Sequence, residues 1–322
     1  MANTLGPHRN PVLSGRLWIL MYHRVLPRDD RRFSLEEPGM VVQPETFQMH
    51  LRELKRHFDL VSLADWVNAK DNDEPLPQKA CAVTFDDGWL DNYEYAFPIL
   101  KEESAPATLF AVADKIGTDF QFWPNIIVGL MFCDGIGAMR DNAVLRSALS
   151  SCDPVSGRVS GDQVASVIKA LKAHTDLDIF HALESIGWRK YCGEHLGCAL
   201  MGWQQLNEMR GSGLVTVGSH TNTHRRLTSS VTLPDMEYEI VDSKRKLQRE
   251  TGDSIDLFCF PNGDYNQEAL DMVRTHYRAA VTTRRGINLN RSANRHELTR
   301  IGIHEDIASN RRLFGARISG WV

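Results

Sequence analysis

No stretch of this sequence is apolar for long enough to cross a bilayer, which takes roughly 20 residues. The longest candidate near the start, Leu17-Trp18-Ile19-Leu20-Met21-Tyr22, covers less than a third of that. The opening residues, Met1-Ala2-Asn3-Thr4-Leu5-Gly6-Pro7-His8-Arg9, lack the charged start and apolar stretch of a secretory leader, so a cytoplasmic location is expected. No long basic run occurs. Lys and Arg total 37 against 41 Asp and Glu, a formal net charge of -4, and a nucleic-acid partner is therefore not expected. Cysteine is sparse. Cys81, Cys133, Cys152, Cys192, Cys198 and Cys259 are scattered without the paired spacings of a zinc ribbon, and reduced thiols are the expectation. Repeats of fixed period and low-complexity tracts are missing too.

What remains is an ordinary globular composition, 42% hydrophobic and 24% charged over 322 residues, enough for a sizeable core. Short apolar runs alternate with helical spacings. Residues 17–22, 80–85, 107–112, 214–218, 257–260, 279–282 and 299–303 read as strands, the first two of them buried. Between them, Phe47, Leu51, Leu54 and Phe58 follow a helical period, as do Trp203, Leu206 and Met209, which Gly211 and Gly213 end. Residues 93–101 and 235–250 also read as helix. Alternating strands and helices point to an α/β fold with a mainly parallel sheet. From about residue 117 to 198 the rhythm turns helical, with Phe122-Trp123-Pro124 near its start. The expected organisation is one catalytic domain over residues 1–322, carrying a helical insertion at 117–198 that could cap the mouth of the site.

The polar residues fall at strand ends. His23 follows the first strand, Asp86 and Asp87 the second, His220 a later one, Pro261-Asn262 the next and His304 the last. Parallel α/β folds gather their sites at the carboxyl ends of strands, so these side chains are expected to share one mouth. Adjacent carboxylates repel, and Asp86-Asp87 therefore calls for a cation or solvent beside it. His220 and His224 are four residues apart, a spacing that puts both imidazoles on one face of a helical turn. One carboxylate and two imidazoles leave coordination positions open, as catalytic zinc sites do, although other divalent metals accept the same set. The neighbouring carboxylate is then placed to act as a general base on water.

Thr84-Phe85-Asp86-Asp87-Gly88 followed by Ser219-His220-Thr221-Asn222-Thr223-His224 resembles the polysaccharide deacetylases, carbohydrate esterase family 4 with its NodB homology domain. The likeness includes Met21-Tyr22-His23-Arg24-Val25, Pro98-Ile99-Leu100, Ala105-Pro106-Ala107-Thr108-Leu109-Phe110, Phe260-Pro261-Asn262-Gly263-Asp264-Tyr265-Asn266 and Thr299-Arg300-Ile301, and leaves out the insertion. It implies a distorted (β/α) barrel, usually of seven strands. It also implies that Asp86 is the base and that Asp87, His220 and His224 hold one divalent metal ion, zinc in the first instance. The arginine that many members carry before Pro-Tyr in the third motif is missing from Phe258-Cys259-Phe260-Pro261, and Arg300 could substitute from a neighbouring strand.

The activity so implied is hydrolysis of an acyl group, N-acetyl above all, from an amino sugar or sugar conjugate in surface-polysaccharide assembly. His304 is the candidate proton donor to the leaving amine. His23, Pro261, Asn262 and Tyr265 are candidate substrate contacts, and the rings of Trp89 and Tyr265 could stack on sugar. Two rival readings stand beside this one: a metal-dependent amidohydrolase or deformylase for a non-polysaccharide substrate, and an inactive sugar-binding homologue.

Overall fold

The computed structural model describes residues 15–37, 39–150, 159–197 and 199–319. The N-terminal segment read above, Cys152 and Cys198 lie outside them. The other four cysteines carry free thiols. None of the described helices is long and apolar enough to cross a membrane.

The strands are β1 (Arg16–Tyr22), β2 (Arg24–Val25), β3 (Val41–Val42), β4 (Asp59–Leu60), β5 (Lys79–Asp87), β6 (Ala107–Ala111), β7 (Val215–Ser219), β8 (Leu257–Cys259), β9 (Ala279–Arg285), β10 (Asn288–Leu289) and β11 (Leu298–Gly302). β1 pairs with β5 on one side and β11 on the other, and the series β5-β6-β7-β8-β9-β11 completes the ring. Every pairing in the ring is parallel. The result is a closed seven-stranded barrel, the fold the sequence leads one to expect. β4 extends β5 in parallel and β10 extends β1 antiparallel, while β2 and β3 form a separate pair.

Alternation along each strand sorts the side chains. Leu17, Ile19, Ala80, Ala82, Phe110, Leu257, Cys259, Ala279, Val281 and Leu298 form one buried cluster, joined by Leu63, Trp66 and Val67 of the helix Leu63–Asp71. The alternate residues, Trp18, Leu20, Val83, Leu109, Val217, Phe258 and Ile301 among them, join a second cluster with the surrounding helices. Phe110 fills space that its neighbour leaves: a Cβ on Gly218, its partner across β6 and β7, would lie 2.6 Å from the Phe110 ring. Thr84, Asp86 and Arg300 fall in register with the first cluster. They are polar residues at the carboxyl end of a largely apolar interior.

The helix Pro44–His57 shows why these segments are helical. Proline and Glu45 occupy its first turn, Lys55, Arg56 and His57 its last, and Phe47, Leu51 and Leu54 are buried. Two segments read as plain helix are interrupted by π-helical turns, Asn92–Ala96 before Phe97–Glu103 and Tyr238–Asp242 between Leu233–Glu237 and Ser243–Thr251. Both turns carry residues that brace the candidate site. A one-residue widening of this kind is frequent near functional sites.

His50 on Pro44–His57 is fully buried between the Tyr22 hydroxyl at 3.2 Å and the Ala308 carbonyl at 2.7 Å, stacked on Phe314. Burial, only partly offset by the Ala308 carbonyl, lowers its pKa from 6.5 to about 4. Above pH 6.5 the imidazole is neutral folded or unfolded and contributes no pH dependence. As the pH falls from 6.5 towards 4 the unfolded chain gains a proton that the folded one refuses, and stability drops by on the order of 3 kcal/mol. Urea titrations across this window should show the drop in the parent and a shallower one in His50→Gln; parallel curves would contradict it.

A second compact unit comprises residues 26–40 and 119–199. It is helical, with Trp123–Phe132, Gly161–Leu171, Asp176–Ile186 and Arg189–Leu196 as its longer elements. Its own core gathers Ile127, Leu130, Met139, Leu145, Val167, Leu171, Ile179, Leu183 and Cys192. The segment 26–40, which the sequence did not group with it, is tied in by Glu36, whose carboxylate accepts from Asn125 Nδ2 at 2.9 Å.

Candidate metal and catalytic site

Asp86 and Asp87 are the last two residues of β5, and the turn after them is tight. Asp87 has φ 77° and Gly88 φ 89°, both left-handed. A Cβ at Gly88 would come within 2.7 Å of Ile116, so that position needs glycine for space as well as conformation. The sharp turn sends the two carboxylates in different directions.

Asp86 points to Arg300. Nη1 donates to Oδ1 and Nη2 to Oδ2, each at 2.7 Å, a two-pronged pair with both partners buried. Arg300 is itself fixed by Nε donating to the Thr282 carbonyl at 2.9 Å and Nη1 to Thr84 Oγ1 at 3.2 Å. The register between β11 and β9 shifts between Leu298 and Arg300, an irregularity of the kind that re-aims a side chain near a site. Cys259 Sγ lies 3.2 Å from Arg300 Nη2 and 3.6 Å from Asp86 Oδ2, and His23 Nε2 is 3.8 Å from the same oxygen. Burial pushes the Asp86 carboxyl up, but Arg300 outweighs it and holds the group below the usual carboxylate range.

Asp87 faces the histidines. Its Oδ1 lies 3.4 Å from His220 Nε2 and 3.4 Å from His224 Nε2, is buried, and makes no hydrogen bond. Oδ2 accepts from Trp89 Nε1 at 2.9 Å. His220 Nδ1 donates to the Cys259 carbonyl at 2.8 Å, which leaves Nε2 as the atom turned towards Asp87. Burial raises the Asp87 carboxyl, yet the two imidazoles hold it far below the ordinary range. Burial likewise pulls His220 down, and Cys259 with Asp87 and Asp86 carries it well above. The field here favours positive charge.

The segment 220–224 is not the helical turn expected from its spacing. It is a loop in which Thr221 (φ 67°) and His224 (φ 65°) adopt left-handed conformations. Its shape is held from outside. Buried Glu239, on the second π-helical turn, accepts from the backbone N–H of Asn222 at 3.0 Å and of Thr223 at 2.9 Å, and from the Thr223 hydroxyl. Ala113 N–H donates to the Thr221 carbonyl and Asp114 N–H to that of Asn222, each at 3.0 Å.

Among the described residues two groups place metal-ligating atoms within 4.8 Å of one another: Asp87, His220 and His224, and Asp86, His220 and Cys259. The second is already spoken for, because Arg300 takes both oxygens of Asp86 and the Cys259 carbonyl takes His220 Nδ1. The first offers an orphaned carboxylate oxygen and two imidazole nitrogens, an O and N donor set that suits zinc and other divalent ions.

The remaining candidates lie as follows. His304 opens the short helix Glu305–Ala308, with Nδ1 3.2 Å from Asp306 Oδ2; burial lowers its pKa, Asp306 opposes that, and His23 adds to the lowering. Pro261 is buried at the end of β8, and exposed Asn262 has φ 55° with its carbonyl accepting from Thr283 Oγ1. The hydroxyl of Tyr265 donates to Glu297 at 2.6 Å and its ring stacks on Phe260 at 4.2 Å, so these contacts serve the fold. Trp89 is 1% exposed: its ring packs inside and does not present a face for sugar. Its role beside Asp87, and that of Glu239, were not read from the sequence.

The polysaccharide deacetylase profile matches residues 73–145 and 157–280, more than half of the chain. YxkH of Bacillus subtilis (strain 168), which carries the same family name, is 29% identical over 103 residues, 32% of this chain; the match spans about a third of that relative, 34% of its length. The structure of the Streptococcus pyogenes deacetylase PplD in complex with acetate is similar at a TM-score of 0.60 and 20% identity, covering 94% of this chain and 99% of that one. IcaB from Ammonifex degensii gives a TM-score of 0.59 at 19% identity, over 94% of this chain and 97% of its own. At such identities the two structures speak to the fold.

Proposed function

Because this chain belongs to the polysaccharide deacetylase family, we propose that it hydrolyses an acyl group, N-acetyl in the first instance, from an amino sugar of a polysaccharide or sugar conjugate. Asp87, His220 and His224 would hold one divalent ion, zinc in the first instance. The observation that carries this reading is Asp87 Oδ1, buried, without a hydrogen bond, and facing two imidazole Nε2 atoms at 3.4 Å. A buried acceptor without a partner costs about 1–3 kcal/mol unless something else satisfies it. When bound, such an ion supplies Lewis acidity, polarising a carbonyl oxygen and bringing the pKa of water from about 15.7 towards 7.

Asp86 is the general base. The Arg300 fork keeps it ionised and aims it, and it takes the proton of the attacking water as the water oxygen bonds to the acyl carbon. The carbon–nitrogen bond then breaks, and the proton that Asp86 took from water passes by way of His304 to the departing amine. His23, 3.8 Å from Asp86 and near enough to His304 to influence its charge, would be a polar contact for substrate.

Acetate release from N-acetylglucosamine oligomers tests the reading. Turnover is expected to stop with a strong chelator and return with added zinc. Undiminished turnover under chelation would remove the metal from the account. Hydrolysis confined to non-sugar amides would remove the polysaccharide.

A further inference from the structure

A chain of buried contacts stands behind Asp87 that the chemistry above does not use. Trp89 Nε1 donates to Asp87 Oδ2 at 2.9 Å. The Arg24 guanidinium lies over the Trp89 ring, its Cζ 4.2 Å from the centroid. Arg24 in turn donates from Nε and Nη2 to Asp91 Oδ2 at 2.9 and 2.8 Å, and Asp91 Oδ1 accepts from Val25 N–H at 2.8 Å. Arg24, Trp89 and Asp91 are all buried. Next to Asp91, Asn92 Nδ2 donates to the His23 carbonyl at 2.8 Å.

We propose that Trp89, braced by the Arg24–Asp91 pair, is a positioning residue that makes Asp87 a one-oxygen ligand for the divalent ion. The inference rests on the metal reading of the preceding section. A free carboxylate can offer a cation either oxygen or both. Indole is a donor only, so its N–H occupies Oδ2 and leaves Oδ1 turned to the histidines. Such a donor fixes geometry only if the ring cannot tilt. The guanidinium over its face provides that restraint, a cation–π contact that strengthens when desolvated. The arginine is pinned by Asp91. A buried ion pair is weak evidence for stability in itself; here its two ends hold the indole on one side and the residues around His23 on the other. Asp91 and Asn92 sit five and six residues beyond Asp86, at the start of the first π-helical turn, so one turn of chain braces both the ligand and the segment facing the base.

The test is the zinc dissociation constant, measured on the intact chain by competition with a chromophoric chelator, together with the melting temperature of the metal-free protein. Trp89→Phe keeps an aromatic ring and removes the donor; its dissociation constant is expected to rise about 10- to 100-fold, the usual cost of losing a group that orients a ligand. Trp66→Phe is the control. Trp66 is equally buried, on the helix Leu63–Asp71, with an indole nitrogen that has no partner, and zinc affinity should not move there even if the melting temperature falls. Arg24→Lys keeps the charge for Asp91 but not the plane over the indole, and a several-fold rise is expected, which serves if Trp89→Phe does not fold. Affinities within twofold of the parent in the folded variants would overturn the proposal and leave the metal reading intact. A parent chain that binds zinc no better than millimolar would overturn both.

Discussion

Asp86→Asn is expected to lower kcat about 10²- to 10⁴-fold, the range general-base catalysis supplies, while zinc affinity stays within a few-fold of the parent. The two aspartates are neighbours in sequence, yet their surroundings separate them completely. Both oxygens of Asp86 are engaged by Arg300 at 2.7 Å, whereas Oδ1 of Asp87 faces only the histidines. Loss of the first carboxylate should therefore cost proton transfer without costing the ligand set. The variant also leaves Arg300, 1% exposed, without its counter-charge. Removing one partner of a buried pair costs about 3–5 kcal/mol, so activity has to be read with the folded fraction, monitored by circular dichroism, held equal. A variant that is folded and within tenfold of the parent would take the base assignment away from Asp86. One that is folded but has lost zinc would place Asp86 among the ligands.

Arg300→Met attacks the same carboxylate from the other side, and its signature is in the pH profile. In the parent, Arg300 overcomes the effect of burial and holds the Asp86 carboxyl below its ordinary value, so the base is ionised throughout the neutral range. Without the guanidinium only His220 and His23 are left to oppose burial, which disfavours the charged form. The acidic limb of kcat/KM should move to higher pH, and activity at neutrality should fall by about 10²-fold or more as the base is lost to protonation. The contribution of this carboxyl to stability should reverse sign as well. A carboxyl depressed in the folded state contributes stability that is present above its unfolded pKa of about 3.9 and lost as the pH drops through the folded value. Once raised, it costs stability as the pH climbs above about 3.9. The parent-minus-variant difference in unfolding free energy should thus grow from pH 3 to pH 6. A flat difference, with an unmoved acidic limb, would mean that Arg300 is packing alone.

The barrel was legible because its strands are short, largely apolar runs, most of whose residues are buried. The runs at 17–22, 80–85, 107–112, 214–218, 257–260, 279–282 and 299–303 correspond one for one to the ring of β1, β5, β6, β7, β8, β9 and β11. Period alone even carries information about the site. Thr84 and Asp86 share the alternation of Ala80 and Ala82, and Arg300 that of Leu298, so charge at two inward positions foreshadows a buried pair. What could not be read depends on contacts distant in sequence. The spacing of His220 and His224 is equally good for a helical turn, and only Glu239 accepting two backbone N–H groups makes the segment a loop with left-handed Thr221 and His224. For Trp89 the sequence left both a sugar platform and core packing open, because an aromatic face serves either. Its burial under Arg24, 65 positions earlier, is a tertiary fact. The π-helical turns at Asn92–Ala96 and Tyr238–Asp242 leave no periodic trace, since one extra residue per turn is lost within ordinary helical spacing.

Anomalous diffraction from zinc-soaked crystals, collected on both sides of the zinc absorption edge, tests the central claim most directly. One strong peak is predicted in contact with Asp87 Oδ1 and the Nε2 atoms of His220 and His224, with Asp86 still paired to Arg300. A peak bound instead by Asp86 and Cys259, or an ordered Asp87 with no peak beside it at saturating zinc, would contradict the account.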